Sequence, residues 1–177
     1  MKIGIDISQI IYEGTGVATY VRQMVRALVA ESTHEYILFG SSLRGRSVFR
    51  QFVSGLPSNV RLITIPIPPS VLDFFWNRLH IIPVEWFTGP LDVFWSSDWT
   101  QPPLHSALGM TTIHDVMALL YPESFTRSIV DVHKRRLQRV ARECTRILCD
   151  SEATKNDVMR LLGVSEKRLR VIYPGYS

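Results

Sequence analysis

A histidine and an aspartate end a short predicted strand. The strand covers residues 110–114, and His114 and Asp115 stand at its end. A histidine there can hydrogen-bond a polar substrate or donate a proton, and a neighbouring carboxylate can bind a substrate hydroxyl. Position alone allows a second interpretation, in which His114 ends the strand and takes no part in chemistry.

A glycine-containing loop precedes the first helical pattern. Gly14, Thr15 and Gly16 follow the first predicted strand, and such a loop lets the backbone and a helix N-terminus approach phosphate. The dinucleotide fingerprint requires a third glycine or alanine, and Thr19 occupies that position. The loop therefore indicates a general anion contact, with an ordinary tight turn as the alternative.

Other polar residues carry weaker signals. Asp150 follows another predicted strand, and a helix cap at Ser151 alone accounts for that segment. Cys144 and Cys149 have no metal-ligand spacing, and neither do the remaining histidines, so we predict no metal site and two buried, reduced thiols of a cytoplasmic protein.

Strands and helices alternate along the chain without a repeat or a linker. This order predicts an α/β fold, a Rossmann-like, doubly wound, mostly parallel sheet with helices on both faces. Ligands of such sheets bind beyond the carboxyl ends of the strands. The predicted strands are 2–7, 35–39, 60–67, 91–96, 110–114, 146–150 and 170–173. The helical patterns are 17–28, 43–53, 70–79 with Ser70 as its cap, 129–143, and a segment from the Ser151 cap to Leu162.

Length and composition describe one globular domain. The 177 residues are 46% hydrophobic and 20% charged, which excludes a wholly disordered chain. No apolar run reaches the roughly 18 residues of a membrane-spanning helix, and Asp6 interrupts the segment where a signal peptide would be apolar.

Charge and aromatic residues are unevenly distributed. The formal net charge is +4, yet residues 127–146 hold seven basic residues against two acidic ones, a surplus of five. We predict that this surplus is the water-facing side of a helix, with an anionic partner as the alternative. Residues 74–99 contain eight aromatic residues, including every tryptophan, and we expect most of them in the core, with an acceptor groove or a membrane contact as alternatives.

Eight short motifs occur in an order that resembles a known family. They are Lys2-Ile-Gly-Ile-Asp-Ile, Gly14-Thr-Gly16 with Ala18-Thr-Tyr20, Trp76-Asn-Arg78-Leu, Asp92-Val-Phe-Trp-Ser96, Thr112-Ile-His114-Asp115, Tyr121-Pro-Glu123, Asp150-Ser-Glu152 and Val171-Ile-Tyr-Pro174-Gly175. Together they resemble the N-terminal half of group 1 (family 4, GT-B fold) retaining glycosyltransferases, especially the mannosyltransferase-like branch. The resemblance covers essentially the whole chain.

The resemblance implies roles for the residues above. Gly14, Thr15 and Gly16 would approach the donor diphosphate and the acceptor, His114 would contact the transferred sugar, and Asp115 would lie beside it. The donor would be a nucleotide sugar, GDP-mannose or a UDP-sugar, with no cofactor, no metal and no nucleic acid. The acceptor would be a saccharide or a lipid-linked saccharide of cell-surface polysaccharide or glycolipid synthesis, reached by a cytoplasmic enzyme with a peripheral contact to the inner face of the membrane.

The family's second domain supplies most of the donor site, including a basic pair and a glutamate pair. Neither pair is recognisable here, so residues 1–177 correspond to the acceptor-side domain, and the resemblance implies a donor-binding domain after Ser177. We therefore expect this chain alone to have little or no transferase activity. Two rivals remain: a small nucleotide- or dinucleotide-binding protein of the same fold class, and a non-enzymatic interaction domain that uses the basic helix and the aromatic segment.

Overall fold

A parallel sheet organises the chain. The computed structural model describes residues 1–31 and 33–175, and within them seven strands form one sheet in the order β3-β2-β1-β4-β5-β6-β7. All neighbouring strands run parallel. The strands are β1 (Lys2–Asp6), β2 (Glu35–Ser41), β3 (Val60–Ile65), β4 (Val93–Ser96), β5 (Leu108–Ile113), β6 (Cys144–Cys149) and β7 (Leu169–Val171). This order confirms the predicted doubly wound α/β fold.

Helices connect consecutive strands, except that the segment 97–107 joins β4 to β5 without a helix. The α-helices are α1 (Gly16–Glu31), α2 (Arg46–Val53), α3 (Pro69–Leu72), α4 (Glu85–Thr88), α5 (Met117–Leu120), α6 (Arg127–Glu143) and α7 (Glu152–Leu162). A π-helix (Asp73–Leu79) continues α3 without a break, and short 3-10 turns cover Ser8–Ile11, Pro122–Ser124 and Glu166–Arg168.

Both faces of the sheet are covered by apolar residues. In β2, Tyr36 and Leu38 enter the cluster that packs with α1 and α2, whereas Ile37 and Phe39 enter a second cluster with the π-helix. Successive side chains of a strand point to opposite faces, so a strand buried on both faces is continuously apolar. The composition of β2 therefore follows from its central place in a doubly covered sheet.

Of the two predicted N-terminal helix caps, one is confirmed and the other is wrong. Ser151 caps α7 by accepting the N–H of Thr154 at 3.1 Å, and Gly163 ends that helix in the left-handed conformation, as predicted. The predicted cap at Ser70 is wrong. Pro69 is the first residue of α3, because its fixed φ and missing N–H suit that position, and Pro68 precedes it.

The two cysteines are buried and free, as predicted. Burial raises the pKa of Cys144 to about 12 and that of Cys149 to about 11, so both thiols stay protonated at neutral pH.

Part of the basic surplus on α6 faces the protein interior. Arg136 is 1% exposed, Arg135 donates to Asp73 at 2.8 Å, and the Arg139 Nε–H donates to the carbonyl of Asn77 at 3.4 Å. The prediction that this set faces water is therefore wrong for Arg136, and Arg135 and Arg139 are only half-buried. All three bind oxygen atoms of the π-helix and of the strand ends, which an amphipathic pattern on one helix cannot reveal.

Arg136 connects α6 to the ends of two strands. Its Nε–H donates to the Ser97 carbonyl at 3.1 Å, and its Nη2 donates to Thr111 Oγ1 at 2.7 Å and to the Thr112 carbonyl at 3.1 Å. The Asp98 carboxylate lies 3.4 Å from Nη1 and balances the buried charge. Burial lowers the pKa of Arg136, although an arginine remains protonated at physiological pH.

We expect Arg136→Met to lower the free energy of unfolding by about 3–5 kcal/mol, because the substitution leaves several buried acceptors unpaired. The exposed Arg142 lies on the same helix, and Arg142→Met should change the free energy by no more than about 0.5 kcal/mol. Urea denaturation followed by circular dichroism measures both values. Equal losses for the two variants would contradict the anchoring role of Arg136.

Candidate active site

The carboxyl edge of the sheet gathers polar residues from four strands. Asp6 ends β1, Asp98 follows β4, His114 follows β5 and Asp150 follows β6. Because these four strands are neighbours and parallel, their final residues lie side by side at one edge. This is the edge at which doubly wound sheets bind their ligands.

His114 and Asp150 form the closest side-chain pair at this edge. His114 Nδ1 lies 2.6 Å from Asp150 Oδ2, and the two side chains are 16% and 20% exposed. An ionised carboxylate can only accept, so Nδ1 is the donor and Nε2 remains available to a ligand. The edge of the Tyr20 ring contacts the imidazole at 4.8 Å between centroids, and Thr154 Oγ1 donates to the His114 carbonyl at 3.2 Å. These contacts fix the orientation of the ring.

The partner of His114 comes from strand register. Ile113 on β5 pairs with Cys149 on β6, so the next residue on each strand, His114 and Asp150, must also be adjacent. From the sequence, the helix cap at Ser151 accounts for this segment, so Asp150 is not among the predicted site residues. The signal was present, because the two predicted strands end at 114 and 150.

Asp115 lies next to His114 in sequence, but no hydrogen bond joins their side chains. Its exposed carboxylate accepts the backbone N–H of Met117 at 2.9 Å, where α5 begins. Local turn formation therefore accounts for the observed contact of Asp115. The structure brings Asp150, and not Asp115, into hydrogen bonding with the histidine.

The glycine loop leads into α1 at the same edge. Gly14 has a φ of +82°, which favours glycine, and Thr15 Oγ1 accepts the N–H of Ala18 at 3.2 Å. Thr15 thus caps α1, while the N–H groups of Gly16 and Val17 precede the first acceptors that the helix supplies. The tight turn and the free helix N-terminus, considered as alternatives above, exist together.

An open groove of about 790 Å³ extends from this loop across the sheet edge. Its walls are the segment 9–17, the junction of α3 with the π-helix, the Asp98–Trp99 loop and the first half of α6. The lining residues are Gln9, Tyr12, Thr15, Val17, Pro69, Ser70, Asp73, Asp98, Trp99, Ser128, Ile129, Asp131, Val132, His133 and Arg135. Burial lowers the pKa of His133, which favours the neutral ring at neutral pH.

A small cavity of about 10 Å³, which His114 lines, adjoins the groove. Val17 and Asp98 line both spaces, and Asp6 and Tyr20 line the smaller one. Asp6 is 3% exposed; its Oδ1 accepts the N–H of Ser8 at 2.8 Å, and its Oδ2 has no hydrogen-bond partner in the described chain. Burial raises the pKa of this carboxyl.

Comparison with known proteins identifies the family. The sequence model of glycosyltransferase family 4 matches residues 14–177, which includes the glycine loop, His114 and Asp150. The chain belongs to glycosyltransferase family 4. Among curated proteins, none matches the chain at a significant level.

Family membership supports a glycosyltransferase-like function in general and an N-terminal domain of that type. Within residues 1–31 and 33–175, no group of three or more potential metal-ligating side chains converges, and no helix combines the length and apolar character needed to cross a membrane.

The aromatic segment of this family 4 domain divides between core and surface. Trp76, Phe94 and Trp95 are buried as expected, whereas Trp86 is 76% exposed. Trp99 is half-buried and lines the groove. A sequence count of aromatic residues could not separate these environments, because each depends on which strand or helix covers the ring.

We expect Asp150→Asn to change the tautomer of the His114 ring. The carboxylate selects the Nδ1–H form, whereas an amide both donates and accepts and so removes the selection. Nitrogen chemical shifts of the His114 ring, recorded by NMR at pH 8.5, report the protonated nitrogen. Asp115→Asn is the matched control and should leave the spectrum unchanged; a similar change in both variants would contradict the assignment of Asp150.

Proposed function

We propose that this chain is the acceptor-side domain of a retaining glycosyltransferase that moves a sugar from a nucleotide-sugar donor to an acceptor hydroxyl. The observation that carries the proposal is the oriented His114–Asp150 pair, at the carboxyl edge of a family 4 domain and next to an open groove. In this proposal His114 contacts the transferred sugar through Nε2. GDP-mannose is the first donor to test, with UDP-sugars as alternatives.

Positioning is the first contribution of these residues to the reaction. Because Asp150 and Tyr20 hold the imidazole, Nε2 is directed without further loss of side-chain freedom when a sugar binds. The free N–H groups at the start of α1, together with Gly14, Thr15 and Gly16, would approach the donor diphosphate. The acceptor would occupy the groove, with its reacting hydroxyl towards His114.

Within the described residues, the sheet edge offers little free positive charge to a leaving diphosphate. Sugar transfer releases a nucleotide diphosphate, whose developing negative charge requires fixed cations or dipoles. Arg136 is buried against strand ends and Arg135 is paired with Asp73, so neither is free to neutralise a diphosphate. We therefore propose that a donor-binding domain after Ser177 supplies these cations.

We expect this chain alone to give no turnover above background with GDP-mannose or UDP-glucose and a panel of saccharide acceptors.

The native protein, detected in its source cells with an antibody against this domain, should be about twice 20.3 kDa, as two domains of ordinary size require. In that protein His114→Ala should lower kcat at least about tenfold, the loss expected for one strong hydrogen bond. Clear turnover by this chain alone, or a native protein of 20.3 kDa, would refute the two-domain proposal.

We also propose a cytoplasmic enzyme that reaches a lipid-linked acceptor of cell-surface polysaccharide or glycolipid synthesis at an anionic membrane surface. Because Arg135, Arg136 and Arg139 bind oxygen atoms within the domain, fewer cations of α6 are free to face a membrane than the sequence suggested. Lys134 and Arg142 border a second groove that Leu161 also lines. Basic residues next to exposed apolar side chains are typical of peripheral membrane contacts.

We expect Lys134→Gln with Arg142→Gln to reduce co-sedimentation with phosphatidylserine vesicles at least about tenfold, because each cation near an anionic surface contributes about 1 kcal/mol. Arg46→Gln with Arg50→Gln, on the exposed side of α2, removes the same charge elsewhere and should have little effect. Equal recovery of both double variants with the vesicles would remove the basis of the membrane proposal.

A further inference from the structure

The groove is acidic although the chain as a whole is basic. Three carboxylates line it, those of Asp73, Asp98 and Asp131, against the single guanidinium of Arg135. The formal net charge of the chain is +4, so the groove differs in sign from the whole protein. Arg135 pairs with Asp73 and Arg136 pairs with Asp98, so the repulsion of an anion in the groove comes mainly from Asp131.

The cations near the groove are already engaged. Asp73 Oδ2 accepts from Arg135 at 2.8 Å, and Asp98 lies 3.4 Å from the buried Arg136. Asp131 is exposed and forms no ion pair in the described part of the chain. A phosphate or carboxylate on a ligand would compete with these carboxylates for the same guanidinium groups. A ligand that donates hydrogen bonds meets carboxylate oxygens directly, because ionised carboxylates only accept.

Trp99 provides an apolar surface in the same groove. Its backbone N–H donates to Ser97 Oγ at 3.3 Å, and its carbonyl accepts from Asn77 at 3.0 Å. The indole is in edge-to-face contact with His133, at 5.5 Å between centroids and 84° between planes. Two backbone hydrogen bonds and one contact of the ring thus hold Trp99 in place. A fixed aromatic ring next to acceptor oxygens suits a ligand with one apolar face and hydroxyls at its edge.

The groove continues towards the histidine. Asp98 and Val17 line both the groove and the small cavity, which His114 and Asp6 also line. The Asp6 carboxyl is 3% exposed, and its Oδ2 has no hydrogen-bond partner in the described residues. The two spaces share Asp98 and Val17, so a ligand in the groove lies next to the cavity that His114 lines.

We propose that the groove is an acceptor subsite selective for an uncharged or amino-bearing sugar ring, which stacks on Trp99 and donates hydrogen bonds to Asp98 and Asp131. This inference rests on the proposed function and adds the charge class of the acceptor. An anionic sugar is disfavoured by the carboxylates. The phosphate of any lipid-linked acceptor lies outside the groove.

The test uses three disaccharides of similar size and different charge: mannobiose, diglucosamine and digalacturonate. Saturation-transfer NMR and calorimetry with this chain, at pH 7 and 150 mM NaCl, give relative affinities. We expect mannobiose and diglucosamine to bind, and digalacturonate to bind at least tenfold more weakly. Trp99→Ala should weaken mannobiose binding at least tenfold, whereas Trp86→Ala, which removes an exposed tryptophan outside the groove, should not change it.

A charge reversal tests the role of the carboxylates. Asp131→Lys should reduce the discrimination against digalacturonate at least tenfold, while Glu123→Lys makes the same charge change on an exposed residue outside the groove and should have no effect. Both sites are exposed, so both variants should fold, and circular dichroism checks this. Digalacturonate binding as tight as that of mannobiose, no disaccharide binding, or full binding by Trp99→Ala would overturn the inference.

Failure of the proposed function gives a different result. If the disaccharides bind as expected but the native protein transfers no sugar from any nucleotide donor, the proposed function fails and the saccharide subsite stands. If the native protein transfers sugar equally well to neutral and anionic acceptors, the proposed function stands and the charge selectivity fails.

Discussion

A buried guanidinium fixes the geometry of the sheet edge. Arg136 binds the carbonyl of Ser97 after β4 and the hydroxyl of Thr111 in β5, and so it holds two neighbouring strand ends at a constant separation. Asp98 and Trp99 follow the first of these contacts, and His114 follows the second strand. Burying a charge is costly unless its hydrogen bonds are satisfied, so the loops can adopt few other arrangements without loss of stability. The candidate site depends on this constraint from α6.

Parallel pairing then determines which residues meet. The register of Ile113 with Cys149 places His114 beside Asp150, although 36 residues separate them in sequence. Sequence neighbours such as Asp115 diverge, because the chain turns into α5 immediately after the strand. The histidine is thus oriented by an adjacent strand of a rigid sheet, and a site on rigid elements holds its geometry better than one on loops.

Local signals predicted much of the fold but not the fate of charged side chains. The cap at Ser151 and the glycine at Gly163 act within one turn of helix, so the sequence was sufficient for both. The burial of Arg136 depends on carbonyls contributed by β4 and β5, and no pattern on one helix contains that information. The groove likewise forms only where α3 and α6 meet the sheet edge. Element types follow from the sequence here, whereas the site requires the tertiary arrangement.

Three arginines of α6 bind groups within the domain, and this leaves little positive charge for the reaction. In α6, Arg135, Arg136 and Arg139 bind oxygen atoms of the π-helix and the strand ends, so three of its positive charges serve structure. What remains at the edge is a histidine, a helix N-terminus and a groove lined by carboxylates. These groups can orient hydroxyls but cannot balance a diphosphate, whose charge needs preorganised positive groups. Under the proposed function, such a domain suits the recognition of a hydroxyl-bearing acceptor without negative charge, and the cations that stabilise the leaving group come from elsewhere.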